Sequence, residues 1–161
     1  MIEMKVSGLA LDEETQAPVL VLKSLDDKTT LPIWIGAMEA MAISLTLNDV
    51  KLPRPMTHDL LLSSIEALGG KVLRISVTGL TDGTFFAIIS VDQGGKDVEI
   101  DARPSDAVAL ALRAKAPILV APAVVEALAE NKPKPGIATD GTDDWTDILE
   151  SYNPADTKYK M

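Results

Sequence analysis

One order of elements occurs twice along this amino-acid sequence. In each half, three segments that alternate apolar and polar residues precede one segment with the three- and four-residue spacing of a helix. The strands and the helix of the first half are predicted at Ile2–Leu11, Val19–Leu25, Leu31–Ile35 and Gly36–Asn48. Those of the second half are predicted at Lys71–Leu80, Phe85–Val91, Val98–Ala102 and Ser105–Lys115.

The two halves align at an offset of 67 positions, which places Ile33 on Ile100 and Glu39 on Asp106. The shared order of elements predicts an internal duplication of a strand-strand-strand-helix unit. It also predicts an α+β fold, in which a mixed, mostly antiparallel sheet is packed with helices. Glu39 and Asp106 would then be equivalent acids in the first turns of their helices, where the helix dipole favours negative charge.

Three further elements complete the predicted domain. A helix is expected from Thr57 to Leu68, a short strand at Pro117–Val120 and a helix at about Pro122–Glu130. Residues 1–130 are therefore predicted to form one domain. Residues 131–161 begin with a proline- and lysine-rich segment and continue with acidic residues, which is typical of a weakly ordered tail.

Composition excludes several classes of protein. The chain has no cysteine, so disulfide scaffolds, thiolate zinc sites and cysteine nucleophiles are ruled out. The net charge of −9 argues against broad, charge-driven nucleic-acid binding, although an acidic body can still hold a local basic site. No apolar run approaches the ~20 residues of a membrane span and no signal-peptide pattern is present, so we expect a cytoplasmic protein without a membrane partner.

Polar side chains gather at two predicted helix starts. The two segments are Pro53-Arg54-Pro55-Met56-Thr57-His58-Asp59 and Asp101-Ala102-Arg103-Pro104-Ser105-Asp106. The first backbone N–H groups of a helix lack partners and the helix dipole is positive there, so helix starts are places where anions bind. Thr57 and Ser105 are the expected N-caps. Any chemistry of this chain is predicted to lie at these two helix starts.

Four segments together resemble a known family. They are Leu31-Pro32-Ile33-Trp34-Ile35-Gly36 with Glu39-Ala40, Pro53-Arg54-Pro55 with Thr57-His58-Asp59-Leu60-Leu61, Asp101-Ala102-Arg103-Pro104-Ser105-Asp106-Ala107, and Ala116-Pro117-Ile118. In this order and at these intervals, they resemble the bifunctional nuclease domain family over about residues 1–130. The resemblance implies an α+β fold, self-association into a homodimer or larger homo-oligomer, and nuclease activity towards both DNA and RNA.

The candidate catalytic side chains are His58, Asp59, Asp101 and Asp106. Histidine is the side chain that titrates nearest to neutral pH, and His58 is the only one in the chain. It could act as general acid or base on a phosphodiester, or as a metal ligand. The alternative is a histidine that is exposed, or hydrogen-bonded to a neighbour, in a first helical turn.

Arg54 and Arg103 are the candidate phosphate-binding residues, because a guanidinium group matches the geometry of phosphate. The alternative is that each arginine pairs with an acid or a carbonyl and holds a loop. Glu39, Asp59 and Asp106 are the candidate ligands for Mg²⁺ or Mn²⁺, which bind oxygen. These acids could instead only favour their helix dipoles.

The residues alone are compatible with two functions. The first is a nuclease that hydrolyses phosphodiesters of DNA and RNA. The second is a non-catalytic module that binds an anion or a protein partner at the same helix starts. Both predict that the polar residues of the two helix starts converge in space, from Arg54, His58 and Asp59 to Asp101, Arg103 and Asp106.

Overall fold

A computed structural model describes residues 1–130 of the chain. The predicted acidic tail, residues 131–161, lies outside the described residues. Within residues 1–130 there are seven strands, which are β1 (Ile2–Leu11), β2 (Pro18–Ser24), β3 (Thr30–Trp34), β4 (Gly70–Thr81), β5 (Thr84–Gln93), β6 (Lys96–Ala102) and β7 (Ile118–Val120). The helices are α1 (Ala37–Leu47), α2 (Thr57–Ala67), α3 (Pro104–Ala114) and α4 (Pro122–Glu130).

The seven strands form one sheet in the order β3-β2-β1-β7-β4-β5-β6. Every neighbouring pair is antiparallel except β4 and β7, which are parallel. The predicted α+β class with a mixed, mostly antiparallel sheet is therefore confirmed. None of the helices among residues 1–130 is long and apolar enough to cross a membrane.

The order of the strands also follows the predicted duplication. Strands β1–β3 and β4–β6 are two antiparallel meanders that flank the short strand β7. Strand β7 is antiparallel to β1 and parallel to β4, so β1 and β4 run in opposite directions, as a two-fold relation between the halves requires. The bounds of α1, moved by 67 positions, coincide with the bounds of α3. These two helices pack against each other.

The core lies between the sheet and the helices. Alternate strand residues point into it, such as Leu20 and Leu22 of β2 and Ile75 and Val77 of β4, all without solvent exposure. Leu110 of α3 is also fully buried in this core. Full burial of one such side chain stabilises the fold by about 1.5–3 kcal/mol. Helix α3 is central because it contacts α1, α2, β4 and β5.

The N-caps of two helices differ from the prediction. Helix α2 begins at Thr57 with Met56 as N-cap, and α3 begins at Pro104 with Arg103 as N-cap. The expected capping by Thr57 and Ser105 is therefore wrong. In α2 the Asp59 carboxylate folds back and accepts the Met56 N–H at 2.9 Å. In α3, Pro104 occupies the first position, where a missing N–H costs nothing.

Candidate functional site

The starts of α2 and α3 meet through the only histidine of the chain. The Nε2 atom of His58 lies 3.0 Å from Oδ1 of Asp106. The His58 side chain is 12 % exposed and the Asp106 side chain is 29 % exposed. A histidine of the first turn of one helix is thus held, largely out of solvent, by a carboxylate of the first turn of another.

Arg103 links this pair to the other half of the fold. Its Nε atom donates to Oδ2 of Asp106 at 2.7 Å, and its Nη1 lies 2.9 Å from Oε1 of Glu39. Glu39 and Asp106 are the two acids that the 67-residue offset makes equivalent, so one guanidinium bridges the equivalent helix starts. Gly36 makes room for this arrangement, because a Cβ atom there would overlap the Glu39 carboxylate.

Arg103 helps to keep the Asp106 carboxyl ionised. Burial opposes ionisation of Asp106, but hydrogen bonds from Arg103 and His58 outweigh it and lower the pKa of the Asp106 carboxyl. The hydrogen bond to Asp106 raises the pKa of Arg103. An ionised Asp106 can only accept hydrogen bonds, so the proton between it and His58 sits on Nε2 of the imidazole. The second ring nitrogen, Nδ1, takes no part in this contact.

Asp59 makes a second contact between α2 and α3, with a residue that sequence reasoning missed. Arg113, in the last turn of α3, donates from Nε to Oδ1 of Asp59 at 2.6 Å. Its Nη1 donates to the Ala109 carbonyl at 2.9 Å and its Nη2 to the Ala42 carbonyl at 3.1 Å. Only 7 % of the Arg113 side chain is exposed.

The environment of Asp59 keeps it ionised. Burial opposes its ionisation, but the Met56 N–H and the Arg113 guanidinium outweigh burial and lower the pKa of Asp59. One sequence signal could have found Arg113. It follows Asp106 by seven residues, which is close to two helical turns, so both side chains lie on one face of α3.

Arg54 lies on the Asp59 side of the site. It is exposed, and no ion pair joins it to another of residues 1–130. It lines a pocket of about 380 Å³ together with Lys51, Asp59 and Arg113. Arg54 is therefore close to the second contact between α2 and α3 and is outside the Glu39–Arg103–Asp106–His58 chain.

Asp101 does not join the other candidate residues, so the predicted convergence is wrong for this residue. In the register of β5 and β6, Asp101 pairs with Ile88, while the next pair, Ala102–Ala87, faces the core. Successive strand residues point to opposite faces, so the exposed Asp101 lies on the face away from the helices. No hydrogen bond or ion pair connects it to the helix starts.

The proposed metal ligands are occupied by guanidinium groups. Arg103 sits against both Glu39 and Asp106, and Arg113 sits against Asp59. Within the described part of the chain, no three histidine, aspartate or glutamate side chains come together in a way that could hold a metal ion. The carboxylates, in the arrangement seen, do not fit Mg²⁺ or Mn²⁺.

Comparison with known proteins covers the whole of this site. Residues 20–132 match the bifunctional nuclease domain family. An uncharacterized protein of Mycobacterium tuberculosis is 35 % identical over 98 % of this chain and 99 % of its own length. Bifunctional nuclease 1 of Arabidopsis thaliana is 31 % identical over 118 residues, which are 70 % of this chain and 36 % of the plant protein. Bifunctional nuclease 2 of Oryza sativa subsp. japonica is 27 % identical over 70 % of this chain and 36 % of its own.

Proposed function

This chain belongs to the bifunctional nuclease domain family, and from that premise we propose that it is a nuclease hydrolysing phosphodiester bonds of DNA and RNA. The observation that carries the proposal is the contact between His58 and Asp106 at 3.0 Å. A base oriented by a carboxylate is a recurring device for activating a nucleophile. The names of the plant relatives support a nucleic-acid substrate.

His58 acts as the general base in this proposal. Asp106 accepts the Nε2 proton and holds the ring, which leaves Nδ1 free to take a proton from the attacking water. The water oxygen bonds to phosphorus as the bond from phosphorus to the leaving oxygen breaks. The protonated imidazole can then return its proton to the leaving oxygen.

The two arginines have different roles in this proposal. Arg54 binds a substrate phosphate, since it is exposed, makes no ion pair within residues 1–130 and lines a pocket beside α2. Arg103 is 66 % exposed but already pairs with Glu39 and Asp106. Its main role is to hold the Asp106 carboxylate against His58. We assign no step to Mg²⁺ or Mn²⁺, because the carboxylates do not fit a cation.

A cleavage assay tests the proposal. Purified wild type and His58→Ala are incubated with fluorescently labelled DNA and RNA oligonucleotides, and products are separated by size. Asp97→Ala, an exposed residue paired weakly with Arg74 at 3.8 Å, is purified in parallel and should cleave like wild type. Wild type should cleave both substrates and His58→Ala neither, at an unchanged melting temperature. Equal products from wild type and a folded His58→Ala would mean a contaminating enzyme or a wrong site.

A second candidate function has one observation in its favour. Arg103 is already engaged by both Glu39 and Asp106, as it would be in a module whose ion pairs only hold the fold. In that reading, Arg54 and Lys51 bind an anion in the pocket of about 380 Å³. Calorimetry that detects oligonucleotide binding, with no cleavage by wild type in EDTA, Mg²⁺ or Mn²⁺, would favour this function.

A further inference from the structure

We infer that Arg113 is a positioning residue, which sets the first turn of α2 so that His58 meets Asp106. The inference rests on the proposed function for its catalytic part. Its structural part stands on contacts that involve neither a substrate nor a metal. Arg113 lines the same pocket as Arg54, but each of its three guanidinium nitrogens already donates within the protein, so its role is to place another residue.

Arg113 joins three helices with one guanidinium group. It donates to Asp59 of α2 at 2.6 Å, to the Ala42 carbonyl of α1 at 3.1 Å and to the Ala109 carbonyl of its own helix at 2.9 Å. Since its side chain is 93 % buried, these contacts form in a medium where water competes little. A planar fork with several donors can make all three contacts at once, and a lysine ammonium cannot match that geometry.

Helix α2 needs such a contact because packing holds it weakly. None of its residues is buried, and its Leu60 and Leu61 are exposed large apolar side chains, as is Leu68 directly after it. Only Leu62 and Ile65 pack against the core as partly buried residues. The position of the first turn of α2 therefore depends largely on polar contacts.

Two such contacts lie along one face of α3. His58 meets Asp106 near the start of α3, and Asp59, the next residue of α2, meets Arg113 near its end. Asp59 also accepts the N–H of Met56, the N-cap of α2. Arg113 therefore contacts the carboxylate that closes the first turn of α2. Loss of the Arg113 contact leaves the first turn of α2 held at one point, and His58 is free to leave Asp106. A misplacement of about 1 Å can cost roughly 100-fold in rate.

The main test is the variant Arg113→Lys, which keeps a positive charge but loses the fork. Its kcat for oligonucleotide cleavage should fall about ten-fold or more, while KM changes much less. In the Asp106→Asn background the same change should have little further effect, because residues that act through one contact are not additive. Arg74→Lys, at an arginine whose only ion pair in the described chain is at 3.8 Å, is the matched control and should behave as wild type.

The single histidine gives a readout that does not depend on activity. NMR signals of the His58 ring can be assigned without ambiguity, since the chain has no other histidine. In Arg113→Lys they should move towards the positions seen in Asp106→Asn. If wild type shows no cleavage, the proposed function fails, and these signals still decide the role of Arg113.

Three results would overturn the inference. One is an unchanged kcat with unchanged His58 signals in folded Arg113→Lys. Another is a fall in kcat that multiplies in full with that of Asp106→Asn, which would indicate independent actions. If Arg113→Lys does not fold, Asp59→Asn tests the same contact from its partly exposed side and keeps an oxygen for the Met56 N–H. Unchanged His58 signals in that variant would also contradict the inference.

Discussion

Replacement of Asp106 by asparagine removes one negative charge and almost nothing else. Asparagine has the same shape and keeps one oxygen, so it can still accept a hydrogen bond from His58. It cannot hold two cationic or proton-donating partners at once, as Asp106 holds His58 at 3.0 Å and Arg103 at 2.7 Å. Asp106→Asn therefore tests the charge at the centre of the site without opening a cavity.

The expected loss of stability is small. A hydrogen bond to a charged group contributes about 1.5–3 kcal/mol and a neutral one about 0.5–1.5 kcal/mol. The contact with Arg103 is discounted because that side chain is 66 % exposed and screened by solvent. The free energy of unfolding should fall by about 1–2 kcal/mol, a shift of a few degrees in melting temperature.

The expected loss of activity is much larger. General base catalysis contributes about 10²–10⁴-fold, and an unoriented His58 forfeits most of it. The cleavage rate should fall by at least about 100-fold, measured with excess enzyme over labelled oligonucleotide so that product release does not limit it. Asp101→Asn, on the face of the sheet away from the helices, should retain full activity. A folded Asp106→Asn with the wild-type rate would show that the charge of Asp106 is not needed, and an inactive Asp101→Asn would show that the site includes the other face of the sheet.

Two further predictions concern pH and assembly. The pKa values of Asp59 and Asp106 are lowered in the folded chain, so their stabilisation is present above about pH 4 and is lost as pH falls through their folded values. Urea unfolding below pH 4 should show a steeper loss of stability for wild type than for the Asp59→Asn/Asp106→Asn variant, and parallel curves would contradict this. We also expect a homodimer formed through α2 and Leu68, which follows α2 directly and is the most exposed large apolar residue among residues 1–130. Light scattering should show a dimer for wild type and a monomer for Leu68→Glu, and a wild-type monomer at micromolar concentration would end the idea.

The fold could be predicted because its elements carry strong local patterns. Strand β2 and helix α1 were placed to within two residues, since alternation and helical spacing are properties of short segments. The duplication makes it possible to recognise from the sequence that Glu39 and Asp106 occupy equivalent positions in the two halves. It could not show that one side chain, Arg103, bridges both acids.

The candidate site could be predicted only in part, because side-chain partners depend on how elements pack. Asp101 is close in sequence to Arg103, but alternation along β6 turns it to the other face of the sheet. Arg113 lies outside both helix starts and reaches Asp59 only because α2 and α3 cross. Thr57 and Ser105 fit the preference for N-caps, but each helix begins earlier than that role requires, so Met56 and Arg103 are the N-caps.

Chemical rescue shows whether the imidazole of His58 transfers the proton during phosphodiester cleavage. His58 is largely buried, so His58→Ala leaves a space of about the size of its ring beside Asp106. Cleavage by His58→Ala should be lost in buffer and should return in part as imidazole is added, with a rate that rises with imidazole concentration. Undiminished cleavage without imidazole, or a loss in the folded variant that imidazole does not relieve, would show that the His58 ring does not transfer the proton.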